Sequence, residues 1–377
     1  MEEIFNRIKI INNLSKIILK YLTTSHKYLL DERLAHVDME EIVNYDAKIM
    51  VAIKEKIRYH SIYQICARHG KLENMKWLLK NNYKYKSSAF SSAVKNGNLE
   101  NMKWLLKKNF PRCFFTFKNA ALHGNLENMK WLLNNGFRYD ENVFSAAARN
   151  GNLENMKWLL LKKCPYNADT FSSAAKNGNL KNMEWLLENK FPHNRFTFAC
   201  AAKNGNLENM KWLLEEKFSY DEYTFAYAAK NGNLENMKWL LKNKFPYNTM
   251  TFRYAAENGN LENMKWLLEN KFPYDKLTFA YAAKNGNLAN MKWLLKNGFP
   301  YDEDTFEYAV ENGNLETIKW LKKNKFSYGN RIYEPIITYG NMEIIKWLLE
   351  EEFPYYEWSF REKKGRKIKS EKYWRKK

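Results

Sequence analysis

Apolar residues in this chain follow a helical period that turn residues interrupt at regular intervals. Within residues 224–247, Phe225, Ala228 and Ala229 occupy positions i, i+3 and i+4, which predicts a first helix with one buried face. The paired alanines predict that a neighbouring helix approaches closely. The sequence Asn-Gly-Asn around Gly232 then predicts a turn, because glycine tolerates a positive φ angle and the following asparagine can cap the next helix.

A second helix is predicted directly after this turn. Its apolar residues form one continuous stripe, and they are Leu234, Met237, Leu240 and Leu241. Glu235 and Lys238 lie three positions apart, so they can pair on the exposed side. Pro246 ends the helix, since proline cannot continue it. Each repeat therefore consists of a helix, a turn, a second helix and a loop.

The repeat recurs with a fixed period of 27 residues and without insertion or deletion. Its glycines are Gly70, Gly97, Gly124, Gly151, Gly178, Gly205, Gly232, Gly259, Gly286, Gly313 and Gly340. Such a period predicts that each repeat buries its apolar face against its neighbours, in an elongated all-α helix-turn-helix solenoid of eleven repeats. Tryptophan recurs at one position of the second helix, from Trp77 to Trp347. Helices in a stack lie about 10 Å apart, too far for these rings to sandwich bases, so we predict a packing role.

The recurring sequence TFAYAAKNGNLENMKWLLKN resembles the ankyrin repeat from about residue 59 to residue 353. The phenylalanine, the paired alanines, the glycine and the paired leucines match, whereas Thr224 takes the place of the proline in the family's opening motif. Ankyrin repeats have about 33 residues, and the missing residues, about six, fall in the loop that normally forms a β-hairpin finger. The resemblance thus implies a finger-less stack, similar to the short arrays of large DNA viruses of protists.

Both ends of the chain depart from the repeat. We predict a helical N-terminal cap over residues 1–57, the ankyrin-like array over 58–357, and a terminal half-repeat with a basic tail over 358–377. A cap is expected because a terminal repeat needs a polar outer side. An alternative for the first part is an F-box-like docking helix around residues 14–22, which would make the protein a ubiquitin-ligase adaptor.

The composition is strongly basic, with 62 Lys and Arg against 42 Asp and Glu and a formal net charge of +20. This charge favours an acidic protein, a nucleic acid or an anionic membrane as partner. The enrichment in Lys, Asn, Ile, Tyr and Phe also fits an A/T-biased coding sequence, which raises the isoelectric point without selection for binding. Both interpretations stay open.

The residues just before the repeat glycine lie on the inner face in ankyrin-like stacks, so the resemblance implies a partner surface there. The predicted partner-binding residues are Arg68, Lys95, Arg149, Lys176, Lys203, Lys230 and Lys284, with Asn177, Asn204 and Asn231 beside them. Leu122, Glu257, Glu311 and Thr338 interrupt the basic row. We expect a concave cationic groove for an acidic protein segment or, alternatively, for a nucleic-acid backbone, with an attraction that weakens in salt.

The tail is a second basic candidate for targeting or for nucleic-acid contact. Tyr373 and Trp374 add aromatic rings that can stack on bases. Its predicted contact residues are Lys363, Lys364, Arg366, Lys367, Lys369, Arg375, Lys376 and Lys377.

No catalytic, metal or cofactor chemistry is predicted. The six histidines share no metal spacing, and no phosphate-binding loop or nucleophile elbow is visible. Cys66, Cys113, Cys164 and Cys200 form no close pair, which is typical of a reducing intracellular compartment. No apolar run is long enough to span a bilayer. We expect a monomeric, non-enzymatic scaffold for protein–protein interaction in the cytoplasm or nucleus, of a host cell if viral, without a small-molecule substrate.

Overall fold

The computed structural model describes residues 62–68, 70–80, 82, 85, 88–329, 332 and 342–353. The predicted cap over residues 1–57, the alternative docking helix around residues 14–22 and the basic tail lie outside the described residues. The chain divides into two compact blocks, residues 1–197 and 198–377, and each is treated by itself.

All secondary structure of the described residues is helical, in twenty-one helices. The helices of the first block are α1 Ile62–Arg68, α2 Leu72–Lys80, α3 Ser88–Asn96, α4 Leu99–Lys107, α5 Thr116–Leu122, α6 Leu126–Asn134, α7 Glu141–Asn150, α8 Leu153–Leu161, α9 Ala168–Asn177 and α10 Leu180–Glu188. Helix α11, Phe196–Asn204, contains the division between the blocks. The helices of the second block are α12 Leu207–Glu215, α13 Glu222–Asn231, α14 Leu234–Lys242, α15 Thr249–Asn258, α16 Leu261–Glu269, α17 Lys276–Asn285, α18 Leu288–Lys296, α19 Asp304–Asn312, α20 Leu315–Lys323 and α21 Met342–Glu350.

The helices alternate between the first and second helices of successive repeats, which confirms the predicted all-α helical-repeat architecture. Within each block the most extensive packing joins neighbouring first helices. The paired alanines permit this close approach, since Ala228 and Ala229 on α13 are completely buried. Phe225 and Leu240 are also completely buried, so the core lies between the helices of adjacent repeats.

The turn within each repeat forms as the sequence predicts. Gly232 has a φ angle of +89°, in the left-handed region, and ends α13. A Cβ atom at Gly232 would lie only 2.6 Å from Oδ1 of Asn258 in the next repeat, so a larger residue would also displace the Asn258 side chain. The side-chain oxygen of Asn233 accepts hydrogen bonds from the backbone N–H groups of Glu235 and Asn236 and thereby caps α14.

Two further asparagines of the repeat that contains α15 and α16 bind the preceding repeat. Nδ2 of Asn258 donates to the carbonyl oxygens of Lys230 and Asn231 at 3.2 and 3.4 Å, where α13 ends. Nδ2 of Asn263, a fully buried residue, donates to the carbonyl oxygen of Gly232 at 2.7 Å. These bonds satisfy helix-end carbonyls that lack a partner within their own helix. The bond to the glycine recurs from Asn128, Asn182, Asn236 and Asn290 and, through a hydroxyl group, from Thr317.

Aromatic rings of the loops complete the contact between repeats. The Tyr247 ring lies 4.1 Å from the Phe272 ring of the next loop, centroid to centroid, and the Phe272 ring lies 5.1 Å from that of Phe225 on α13. Aromatic pairs at these distances stabilise a fold beyond their buried area. Trp239 is half-buried and lies 5.6 Å from Phe245 in the loop of its own repeat, so the tryptophan position serves packing.

Most second helices end with a non-glycine residue in the left-handed region. Lys271 has a φ angle of +58°, and the next residue, Phe272, donates its backbone N–H to the carbonyl oxygen of Leu267 at 3.0 Å. Gly298 occupies the equivalent position two helices later, with a φ angle of +71° and open space around its Cα atom. Lysine at this position therefore carries a backbone strain that glycine does not.

We expect Asn263→Ala to lower the free energy of unfolding by about 1–3 kcal/mol, because the Gly232 carbonyl loses its partner in the neighbouring repeat. Asn270→Ala is the matched control, since Nδ2 of Asn270 donates only within the exposed end of its own helix, to Trp266. Urea denaturation followed by circular dichroism measures both losses. Equal losses in the two variants would contradict the role assigned to the inter-repeat bond.

Lys271→Gly should raise the free energy of unfolding by about 0.5–1 kcal/mol. Relief of a left-handed conformation contributes roughly 1–2 kcal/mol, and the larger backbone entropy of glycine offsets about 0.5–1 kcal/mol of it. Lys265→Gly, inside α16, should instead destabilise by about 1 kcal/mol. The reverse change, Gly298→Lys, completes the comparison, and a stability gain from it would refute the strain argument.

Candidate functional site

One strip of each first helix remains accessible after the repeats have packed. On α13, Tyr223, Tyr227 and Lys230 share a face at positions i, i+4 and i+7 and are half-buried, whereas Phe225 and Ala228 on the opposite side are completely buried. Side chains on this strip do not form the core, so they can serve recognition. In the second block we call the corresponding surface of α13, α15, α17 and α19 the tyrosine face.

The tyrosine face consists of three parallel rows. The row nearest the helix N-termini is Tyr223, Met250, Leu277 and Asp304; the central row is Tyr227, Tyr254, Tyr281 and Tyr308; the third row is Lys230, Glu257, Lys284 and Glu311. All twelve residues are half-buried. The face is therefore aromatic and aliphatic at its centre and charged along one edge.

The central tyrosines form a continuous row. Successive ring centroids lie 5.7, 6.1 and 5.8 Å apart between Tyr227, Tyr254, Tyr281 and Tyr308. A flat ring inserted between two others would need about 7 Å, since carbon atoms in contact lie about 3.5 Å apart. A ligand must therefore lie over the row and cannot enter between its rings.

Lysines of the basic row lie over these tyrosines. Nζ of Lys203 is 5.2 Å from the centroid of the Tyr227 ring, and Nζ of Lys230 is 4.8 Å from that of Tyr254. Nζ of Lys284 is 5.5 Å from the centroid of the Tyr308 ring. Ammonium groups at such distances are attracted to the ring face.

Two of these lysines are also paired with carboxylates. Nζ of Lys230 lies 2.8 Å from Glu257, and Nζ of Lys284 lies 3.9 Å from Glu311. These glutamates interrupt the basic row in the sequence, and in the structure they lie against its lysines. The predicted basic row is interrupted at Glu257 and Glu311, and in the second block these two glutamates partly neutralise Lys230 and Lys284.

Carboxylates surround the last tyrosine of the row. Burial raises the pKa of Tyr308, and the neighbouring Tyr281 together with Asp304 and Glu311 raises it further. Burial likewise raises the pKa of Tyr254, together with its tyrosine neighbours and Glu257. Burial is the larger cause of both shifts, and the nearby carboxylates add to it because they disfavour the negative phenolate form.

The first block has a different surface at the equivalent positions. The central row there consists of Ser92, Asn119, Ala146 and Ser173. Lys95 and Arg149 are exposed and make no ion pair with any described residue, while Arg68 and Lys176 are half-buried. Burial and then the charge of Lys95 lower the pKa of His123. Cationic side chains thus stand beside small residues in this block, without the tyrosines.

The predicted asparagines have structural hydrogen bonds. Nδ2 of Asn177 donates to the carbonyl oxygens of Arg149 and Asn150, and Nδ2 of Asn231 donates to those of Lys203 and Asn204. Their amide donors are therefore already occupied within the chain. A role of these asparagines in partner binding stays a prediction, as it does for Asn204 and for the lysines and arginines of the row.

Sequence analysis missed the tyrosine face. The sequence does contain a sign of this face, at the position two residues after the phenylalanine of each first helix. Cys200 occupies this position in one repeat, and tyrosine occupies it in the next four repeats. The change from small residues to tyrosine at one fixed position was the available indication.

The described residues hold no group of three or more metal-ligating side chains. The four cysteines form no disulfide bond with one another. Burial raises the pKa of the Cys66 and Cys164 thiols to about 12, which suppresses the reactive thiolate. No helix among the described residues combines the length and the apolar character needed to cross a membrane.

A family model described as ankyrin repeats in three copies matches residues 117–197, 171–251, 198–279 and 252–332, which together cover more than half of the chain. No curated protein gives a significant match.

Two solved structures show a remote similarity. The pentatricopeptide repeat protein PPR10 in complex with an 18-nucleotide psaJ RNA element has 9% identity and a TM-score of 0.34, with 89% of this chain and 59% of that chain covered. The same protein from maize has 10% identity and a TM-score of 0.30, with 91% and 60% covered. The chain thus spans about three fifths of that protein, and similarity at this level is too low to indicate a shared activity.

We expect Asp304→Asn to lower the pKa of Tyr308 toward its ordinary value, because the phenolate then loses a negative neighbour. Titration of isotope-labelled tyrosine by nuclear magnetic resonance measures this pKa. Glu235→Gln, on the exposed side of α14, is the control and should leave Tyr308 unchanged. An unaltered Tyr308 pKa in the Asp304 variant would contradict the arrangement of charges at α19.

Proposed function

Because the chain belongs to the ankyrin repeat family, we propose that it is a non-enzymatic protein-interaction scaffold that binds its partner on the tyrosine face. The observation that carries this proposal is the continuous row of half-buried tyrosines from Tyr227 to Tyr308. Tyrosine is enriched where proteins bind one another, because it combines a large apolar ring with a hydroxyl group that finds hydrogen bonds.

Contacts among the tyrosine rings and between the rings and lysines order the side chains of this surface before a partner binds. Each ring of the row rests against the next, and Lys230 and Lys284 hold positions over the rings of Tyr254 and Tyr308. Side chains that are already ordered lose little conformational entropy when a partner binds. The partner is therefore a protein segment whose apolar or aromatic side chains cover the central row and whose polar groups meet the charged edge.

The paired charges favour a protein over a nucleic acid at this face. Binding to a phosphate backbone depends on lysines and arginines that replace the counterions of the phosphates. Lys230 and Lys284 are each engaged with a glutamate, and Asp304 adds a further negative charge beside Tyr308. Phosphates would be repelled at the α19 end, whereas a protein segment can match charges of both signs.

The first block supports the alternative of a polyanion or an acidic protein segment. Lys95 and Arg149 are exposed there without an ion pair to any described residue, so they remain available for negative groups. Such binding would weaken steeply as salt is raised, in contrast to binding on the tyrosine face. Salt dependence therefore separates the two modes in one experiment.

The proposed setting is a monomer inside a cell, in the cytoplasm or nucleus. The absence of a disulfide bond among the four cysteines fits a reducing compartment. We also propose a viral origin, because the 27-residue repeats resemble the short arrays of large DNA viruses of protists.

The test compares partner capture by the natural chain and by the double variant Tyr254→Ser, Tyr281→Ser. Serine fits the fold, because Ser173 occupies the equivalent position in the first block. Capture should fall at least about tenfold, since loss of a central interface tyrosine costs about 2 kcal/mol or more. Lys238→Ser with Lys265→Ser, on the exposed sides of α14 and α16, is the matched control and should retain the partner.

Quantitative mass spectrometry of the captured proteins, at low and high salt, gives the readout. A partner retained equally by the tyrosine variant and the control would show that the tyrosine face is the wrong surface. Capture that disappears after nuclease treatment, or that falls steeply with salt, would instead support the polyanion alternative.

A further inference from the structure

A groove lies between α2 and α4, the second helices of the first two described repeats. Its volume is about 390 Å³. The residues that line it are Lys76, Leu79, Lys80, Trp104 and Lys108. Sites for small molecules have volumes of roughly 300–1,000 Å³, so the groove is large enough to hold one.

Helical periodicity brings these side chains to one surface. Lys76, Leu79 and Lys80 occupy positions i, i+3 and i+4 of α2 and therefore share a face. Trp104 lies on α4, and Lys108 follows the end of that helix four residues later. Leu79 and Trp104 are half-buried, whereas the three lysines are exposed. The groove thus combines accessible apolar and aromatic surface with ammonium groups.

Two of the three lysines are available to an anion. Nζ of Lys76 lies 2.7 Å from Oε1 of Glu73, and this pair neutralises part of its charge. Lys80 and Lys108 make no ion pair with any described residue. Two such ammonium groups beside one indole ring favour a ligand that is both aromatic and negatively charged.

Lys108 replaces a residue that has a structural role in other repeats. Nδ2 of Asn135 and of Asn189 donates to the carbonyl oxygen of the tryptophan four residues earlier, at 2.8 and 2.7 Å. The same bond recurs from Asn243, Asn270, Asn297 and Asn324. The repeat that contains α4 has an exposed ammonium group in place of this side-chain bond.

Lysine at all three positions of the groove is confined to this part of the array. Every later repeat has another residue at one or more of the positions equivalent to Lys76, Lys80 and Lys108. Four repeats later all three are glutamates, and these are Glu184, Glu188 and Glu216. A coding bias toward lysine would act on all repeats alike, so it does not account for this difference.

We propose that the groove binds a nucleoside phosphate, with the base against Trp104 and the phosphates held by Lys80 and Lys108. Bases stack on aromatic side chains without regard to sequence, and lysine binds phosphate as a point charge. A nucleotide joins a flat ring and concentrated negative charge in one small molecule, which matches an indole beside two lysines. The ligand is a free nucleotide or a nucleotide within a single strand, since both present the same groups.

This inference does not rest on the proposed function. The groove lies on second helices of the first block, whereas the tyrosine face lies on first helices of the second block. Neither binding experiment below needs the protein partner, so the failure of one proposal leaves the other standing.

The first test is isothermal titration calorimetry of the full chain at low salt with ATP, adenosine and inorganic triphosphate. ATP should bind at least about tenfold more tightly than adenosine or triphosphate, because it alone engages both the indole and the lysines. Deca-adenylate distinguishes the sources: tighter binding than ATP assigns a nucleotide within a strand, and weaker binding a free nucleotide. Triphosphate that binds as tightly as ATP, or no binding of either ATP or deca-adenylate, would overturn the proposal.

Substitution of the two available lysines locates the site. Lys80→Asn with Lys108→Asn should weaken ATP binding at least about tenfold, since each ammonium group contributes a charge-assisted contact. Asparagine fits the fold, because Asn134 and Asn135 occupy the equivalent positions in later repeats. Lys238→Asn with Lys242→Asn removes the same charge from α14 and should leave the affinity unchanged. Equal losses in the two double variants would reveal unspecific charge attraction and refute the site.

The role of the indole is tested separately from the charge. Trp104→Leu should weaken ATP binding at least about fivefold and leave triphosphate binding unchanged, whereas Trp104→Phe keeps a ring and should weaken ATP less. Circular dichroism checks that each variant is folded. A folded Trp104→Leu variant with the natural affinity for ATP, or with equal losses for ATP and triphosphate, would contradict stacking on Trp104.

Discussion

The fold is stabilised by hydrogen bonds that the helix ends of one repeat receive from the next repeat, as at α13. A helix of nine or ten residues leaves its last carbonyl groups without partners, and in this chain the asparagines of the following repeat supply them. Nδ2 of Asn258 and of Asn263 donate to the end of α13 and to Gly232. The repeat that contains α13 therefore does not satisfy its own backbone alone, as expected for a stack in which each repeat contacts its neighbours.

This dependence also determines where recognition can occur. The buried side of a first helix makes the alanine and phenylalanine contacts, and its C-terminal end accepts the asparagine hydrogen bonds. On this helix, the strip that contains residues such as Tyr227 takes part in neither set of contacts. The tyrosine row arises there because neighbouring first helices are closely packed, which brings rings that are 27 residues apart in sequence to within about 6 Å.

The net charge of a chain does not describe the potential of any one surface. The chain has a formal charge of +20, yet the third row of the tyrosine face alternates in sign and pairs Lys230 with Glu257. Attraction between adjacent charges falls with distance and is screened by salt, so a carboxylate at 2.8 Å outweighs distant lysines.

Sequence by itself determined the helix pair, the turn at the repeat glycine and the family, because these follow from local periodicity, from the φ angle that Gly232 permits and from capping by Asn233. It did not determine which side chains meet across repeats. Lys230 meets Glu257, and Tyr227 meets Tyr254, only because neighbouring first helices pack side by side with one register. Tertiary structure decided the character of the candidate site, since the distances between repeats depend on close packing that no single repeat encodes.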